Sequence, residues 1–346
     1  LDVFRFLAAM LVFFHHSEHV FHSAWLSPLA SFGHDSVVFF FLLSGFVIAH
    51  TTQNKDRDLR DYAVARLARI YSVALPSLVL VVVLYAGGSL LRPELYPQLP
   101  VWHWLELMVT SSLFLNQSLD PRLAVPTNAA YWSICFEVWY YILFGCLYYL
   151  RGFRRVGFLM LGVFIAGLPV LVMFPIWFMG YGLYRFHSRW RLEKKFAVLL
   201  TFTALALYLG MRAGNVDDAL YGLYAGWWGG DPWLNGYLGF GKRFLVDYVT
   251  ASLFVMALVG LFALGEGLLP LLKRFQTSIR FASSGAFSLY LYHMPLLAFL
   301  SILVPSSVVT MLLTLLFIYL LAPATEGRKE PYVRFFQRFL PKKVVG

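Results

Sequence analysis

Five ionisable side chains interrupt stretches of this sequence that are otherwise apolar. Arg5 and His16 stand eleven residues apart in LDVFRFLAAMLVFFHH. Eleven helical steps of 100° come within about 20° of three full turns, so the two share a face about 16 Å apart. Glu137 sits in an aromatic run, YWSICFEVWYYILF. A carboxylate beside an imidazole makes a general base, because the acid orients the ring and stabilises the imidazolium that forms. The competing reading is a buried ion pair that only fixes helix packing. Arg66 and Arg69, in RLARIY, fall at i, i+3 on one helix face. Their guanidinium forks suit phosphate oxygens; an ordinary basic anchor at a membrane boundary gives the same pattern.

The elements that position these residues are long and apolar. Hydrophobic residues make up 60% of the 346 residues and charged residues 13%, about half the charge of a soluble domain. Apolar runs cover Val3–His22, Ser36–Thr51, Tyr71–Leu91, Tyr131–Leu150, Val156–Val172, Phe174–Tyr184, Phe196–Met211, Phe244–Leu264, Ser284–Leu303 and Ser306–Ala322. This predicts an all-α integral membrane protein, a bundle of about ten transmembrane helices at ~20 residues each. The sixth run is short, and Pro169 and Pro175 lie close by. A broken or re-entrant hairpin is therefore expected near 156–184.

Charge supports this map. With Leu1 inside, 23 of the 28 Lys and Arg residues fall on the inner side and 5 on the outer. That asymmetry places both termini in the cytoplasm. The net charge of +10 thus reads as topology, and no nucleic-acid partner is expected. His16 and Glu137 come out at similar depth, each about 9 Å below the outer surface. Cys135 and Cys146 lie on one helix about 16 Å apart, too far for a mutual disulfide.

Other features admit plain readings beside functional ones. His15, Glu18, His19 and His22 occur at helical spacings that could hold a metal at the outer mouth, but no His-Glu-x-x-His order appears and interfacial polar residues need no ligand; no metal requirement is expected. The segment Ala213–Gly241 carries Tyr224, Trp227, Trp228, Trp233 and Tyr237, which suit either sugar stacking or an interfacial aromatic belt. The chain opens at Leu1, already apolar and without methionine or a small-residue cleavage site. That reads as a fragment or a trimmed chain with no cleavable signal peptide. Residues 1–346 are expected to form one membrane domain, without internal repeats or an appended soluble domain.

Several motifs, in order, resemble the acyltransferase-3 family, membrane proteins that O-acylate cell-envelope glycans and other acceptors. Arg5 and His16 match its Arg-x10-His motif, FFLLSGFVI its second-helix signature and RLARIY its paired arginines. NAAYWSICFEVWYYILF is similar to its Trp-Ser…Glu…Tyr segment through Trp132, Ser133, Glu137 and Tyr141; FSLYLYHMPLL resembles its Tyr-Leu-x-His-x-Pro helix. Phe6 departs from the glycine common after the motif's arginine. The resemblance implies transfer of an acyl group, most simply acetyl, from cytoplasmic acyl-CoA to a carbohydrate or glycolipid hydroxyl on the outer side. It also implies a multi-pass protein of the bacterial inner (plasma) membrane. His16 would be the base or acyl relay, Arg5 its partner near CoA and Glu137 its support. Arg66 and Arg69 would contact CoA phosphates, and Ser44, Gly45 and Phe46 would shape the acyl channel. Trp132, Tyr141 and His293 would touch substrate, although His293 beside Pro295 also suits a residue satisfying carbonyls that the proline frees. The alternative function is a proton-coupled transporter or flippase for a sugar or lipid-linked sugar, with His16 and Glu137 as the relay.

Overall fold

The computed structural model describes residues 1–118, 123–187, 192–226, 232–265 and 273–340, without the side chains of 232, 233 and 235. Trp227, Trp228 and the Trp233 side chain lie outside the described residues, as do Arg122, Arg189, Arg191, Lys342 and Lys343. Every regular element described is helical. The principal ones are α1 (Asp2–Phe21), α2 (Gly33–Asn54), α3 (Leu59–Leu91), α4 (Val101–Ser112), α5 (Trp132–Tyr149), α6 (Gly152–His187), α7 (Lys194–Ala213), α8 (Val216–Ala225), α9 (Phe244–Ala263), α10 (Gln276–Ser284), α11 (Ala286–Leu300), α12 (Ser307–Leu321) and α13 (Glu330–Phe339).

All ten apolar runs are found in helices, but among the described residues only 7 helical segments have the length and apolarity to cross a membrane. The difference from ten has three sources. In α1, His15, His16, Glu18 and His19 dilute the apolar content of a helix that is long enough at 20 residues. Helix α11 has only 15 residues. The fifth and sixth runs join in the 36-residue α6. The chain is a multi-pass integral membrane protein, and α11, eleven of whose fifteen residues are buried, lies inside its bundle, where other helices surround it.

The expected break near 156–184 falls at Gly167, whose φ of 74° and ψ of 167° interrupt the helix. Only glycine adopts this backbone without strain. Both arms then lie against the same level of α5. Gly162 packs on Leu143, while Trp177 and Tyr181 on the second arm place their rings 5.1 and 5.3 Å from Phe144. The second arm also meets α2 backbone to backbone. A Cβ on Gly45 would stand 1.9 Å from the Trp177 carbonyl oxygen, and one on Gly180 would stand 1.8 Å from that of Leu42. Small residues permit this approach, and close packing holds membrane helices together where lipid supplies no hydrophobic drive.

Helix α4 corresponds to none of the apolar runs. At 12 residues it extends about 18 Å, too short to span. Its C-terminus is buried partway along the bundle, where open carbonyls need partners. The Tyr71 hydroxyl donates to Ser112 O at 2.8 Å and that of Tyr131 to Ser111 O at 3.1 Å. Phe114 O accepts from Cys135 Sγ at 2.8 Å and from Trp139 Nε1 at 2.9 Å.

At the Leu1 end of the bundle, α13 lies across α3. Arg60 donates to Gln337 O at 3.0 Å, and Phe336 packs 5.5 Å from the Tyr71 ring.

Candidate active site

A cavity of about 720 Å³ enters the bundle from the end that carries Leu1. Lys55, Asp56, Glu326, Lys329 and Val333 line its outer part; Arg5, Arg66 and Arg69 follow; Phe40, Ser133, Ile134, Glu137 and Tyr290 line the interior. Helix geometry explains the arginines. Arg5 lies in the first turn of α1, and the i, i+3 spacing turns Arg66 and Arg69 of α3 to the same side.

None of the three guanidiniums is tightly engaged. Arg5 reaches Asp2 at 3.5 Å and Arg66 reaches Asp56 at 3.4 Å. Arg69 has no ion-pair partner within 4.0 Å among the described residues; it lies over the Phe287 ring at 6.0 Å and is exposed to the cavity. Arginines held this loosely retain donors for a ligand anion.

Deeper in, Glu137 is the centre of a hydroxyl cluster. Its carboxylate accepts from Ser44 Oγ at 2.8 Å and from the Tyr141 hydroxyl, while Trp177 Nε1 donates to Ser44 Oγ at 3.2 Å. Ser44 and Tyr141 face the cavity, but Gly45 and Phe46 do not. Consecutive helical residues diverge by 100°, so Gly45 turns to the α6 backbone and Phe46 to the rings of Tyr184 and Phe262, 5.3 and 5.2 Å away. Trp132 is also off the cavity, stacked on Phe240 at 4.5 Å.

The structure does not bring His16 and Glu137 together: no hydrogen bond joins them, and His16 lies outside the cavity lining. Its ring faces His293 of α11 at 5.2 Å. Helix α11 comes between the two residues. Tyr290, one turn from His293, lies 5.5 Å from Phe40 of α2 and hydrogen-bonds Ser133 of α5 at 2.6 Å. Tyr290 and Ser133 therefore line the cavity on the α11 side. Hydropathy had set the depth of His16 and Glu137 but not their direction around the bundle. The other histidines of α1 are tied to backbone: His15 Nδ1 to Ala30 O at 2.8 Å, and His19 Nδ1 to His15 O at 2.9 Å.

Lys55, Tyr290, Glu326 and Lys329 were not singled out from sequence as site residues. Glu326, whose carboxylate accepts from Ser288 N at 3.0 Å and Ser288 Oγ at 3.1 Å, had one signal, an acid within a basic tail.

The opposite end of the bundle holds a different set of charges. His34 Nε2 meets Asp247 at 2.9 Å, and the Tyr208 hydroxyl donates to Asp35 at 2.7 Å. Arg212 reaches Asp35 at 3.7 Å and also pairs with Asp217. Arg243 binds Asp217 at 3.3 Å and Asp218 at 2.8 Å.

The cavity of this membrane bundle thus combines three loosely held guanidiniums with a carboxylate and hydroxyls further in. Residues 1–325 match the sequence model of the acyltransferase 3 domain, so this chain belongs to that family of membrane acyltransferases. No curated protein and no solved structure gives a match. Membership in an acyltransferase family favours the enzyme over the transporter.

Proposed function

We propose that this protein transfers an acyl group, most simply acetyl, from acyl-CoA to a hydroxyl of a carbohydrate or glycolipid acceptor. The observation that carries the reading is the cavity. Its 720 Å³ falls within the usual range for small-molecule sites, about 300–1,000 Å³, and its lining runs from three arginines to a carboxylate and hydroxyls further in. The loops at its open end carry most of the basic residues, which supports a cytoplasmic position for that end, where acyl-CoA is available.

In this reading Arg5, Arg66 and Arg69 hold the phosphates of CoA, and the thioester points inward past Glu137, Ser44 and Tyr141. These three position the donor and do not act as the base. His16, beyond the Tyr290–Ser133 contact, faces the acceptor from the other side. It takes the hydroxyl proton as the oxygen attacks the thioester carbonyl. The C–O bond forms, the C–S bond breaks and the thiolate leaves with a proton as free CoA.

The test is release of free CoA from acetyl-CoA by the purified protein with cell-envelope extract as acceptor. His16→Ala is expected to lower the rate roughly 10²- to 10⁴-fold while the protein still folds and binds CoA. A wild-type rate in that variant, or no release from several acyl-CoAs by folded wild type, would sink the reading.

A further inference from the structure

Proline 295 leaves the carbonyl of Leu291 without its helical N–H partner, since proline has no amide hydrogen to give. His293 does not fill that gap. Ser77 Oγ donates to Leu291 O at 3.1 Å and Asn128 Nδ2 at 2.9 Å. The imidazole instead uses Nδ1 on Leu289 O at 2.9 Å. A carbonyl only accepts, so Nδ1 carries the hydrogen and Nε2 keeps a free lone pair. That Nε2 is fully buried and has no hydrogen-bond partner among the described residues. An unmet buried acceptor costs about 1–3 kcal/mol, so its persistence calls for a use. The nearest ring able to give it a hydrogen is His16, with centroids 5.2 Å apart.

We propose that His293 is the positioning residue of His16. Its Nε2 accepts the hydrogen of one His16 ring nitrogen once acceptor binding draws the two rings together. That fixes the tautomer of His16 and leaves its other nitrogen as the base. When the acceptor hydroxyl passes its proton to that nitrogen, the hydrogen shared with His293 becomes charge-assisted and stabilises the imidazolium. The proton then leaves His16 for the CoA thiolate, which restores the neutral pair. A third group that orients the base is the arrangement general-base sites require, and here an imidazole fills the place a carboxylate usually takes. The proposal rests on the acyl-transfer reading above.

The variants that test it are His293→Gln, which keeps an acceptor oxygen at about the reach of Nε2, and His293→Phe and His293→Leu, which keep an apolar filling without one. With acetyl-CoA as donor, kcat is expected to fall about 10- to 100-fold in the Phe and Leu variants, with KM for acetyl-CoA within about twofold of wild type. The Gln variant is expected to recover most of the loss. Thermal melting should rank the variants the other way, because an apolar ring suits this wall beside Phe13, 6.2 Å from His293, better than a buried amide does. If the Phe or Leu variant turns over as fast as the Gln variant while wild type depends on His16, the inference falls and acyl transfer stands. If wild type shows no His16-dependent transfer, both fall.

Discussion

The two ends of the bundle treat charge in opposite ways. Opposite the cavity, Asp217 serves both Arg212 and Arg243, Asp35 takes Tyr208 and Arg212, and His34 closes on Asp247 at 2.9 Å. Around the cavity, Arg5 and Arg66 have acids only at 3.5 and 3.4 Å, and Arg69 has none within 4.0 Å among the described residues. One network spends its charges on linking α2, α7, α8 and α9. The other keeps them in reserve. Similar residue types therefore do different work, and engagement by neighbours, rather than charge or burial, separates a strut from a binding site.

The sharpest way to break this comparison is to remove the shared acid of the strut. Asp217→Ala leaves two guanidiniums without their common partner. Loss of one partner from a fully buried pair costs about 3–5 kcal/mol; because Arg212 and Arg243 are 25% exposed, about 3 kcal/mol is expected. Denaturation in detergent should show that loss, with KM for acetyl-CoA unchanged. A raised KM with normal stability would erase the distinction between the ends.

The converse change is Arg69→Ala. Charge-assisted hydrogen bonds are worth about 1.5–3 kcal/mol, so KM for the donor should rise roughly 10- to 100-fold, with little effect on melting. A destabilised protein with normal KM would make Arg69 a strut. Smaller again is Tyr141→Phe, which takes one hydroxyl from Glu137. A hydrogen bond to a carboxylate is worth about 1.5–3 kcal/mol, and Ser44 still donates to Glu137, so a loss of kcat/KM of about tenfold is expected, read from CoA release. The smallest effect is that of salt. Raising ionic strength should weaken CoA binding at the open cavity more than it lowers the melting temperature, because screening acts on accessible charges and little on enclosed ones.

Much of this was legible in the residues. Each apolar run is in a helix, the break near Pro169 and Pro175 is real, and the Arg66/Arg69 spacing does turn both towards one cavity. What hydropathy and periodicity do not carry is direction around the bundle. His16 and Glu137 were set at one depth, yet α11 stands between them. Ser44, Gly45 and Phe46 read as one signature but face three ways, so only Ser44 reaches the cavity. Helix α4 matches no apolar run because its 12 residues fall short of a span, and its end is secured by the hydroxyls of Tyr71 in α3 and Tyr131 just before α5.

The crossing of α2 and α6 has a consequence for redesign. Because Gly45 and Gly180 leave no side chain between the two backbones, the contact acts as a fixed gauge that sets where the Ser44 hydroxyl stands relative to the Trp177 ring that donates to it. If the proposed donor binds in this cavity, a bulkier acyl chain cannot be accommodated by sliding α2 without losing that gauge. Trimming Phe40 or Ile134, which line the cavity from neighbouring positions, widens the room and leaves the gauge untouched. The shape of this cavity is thus open to change one side chain at a time, with the helix framework held constant.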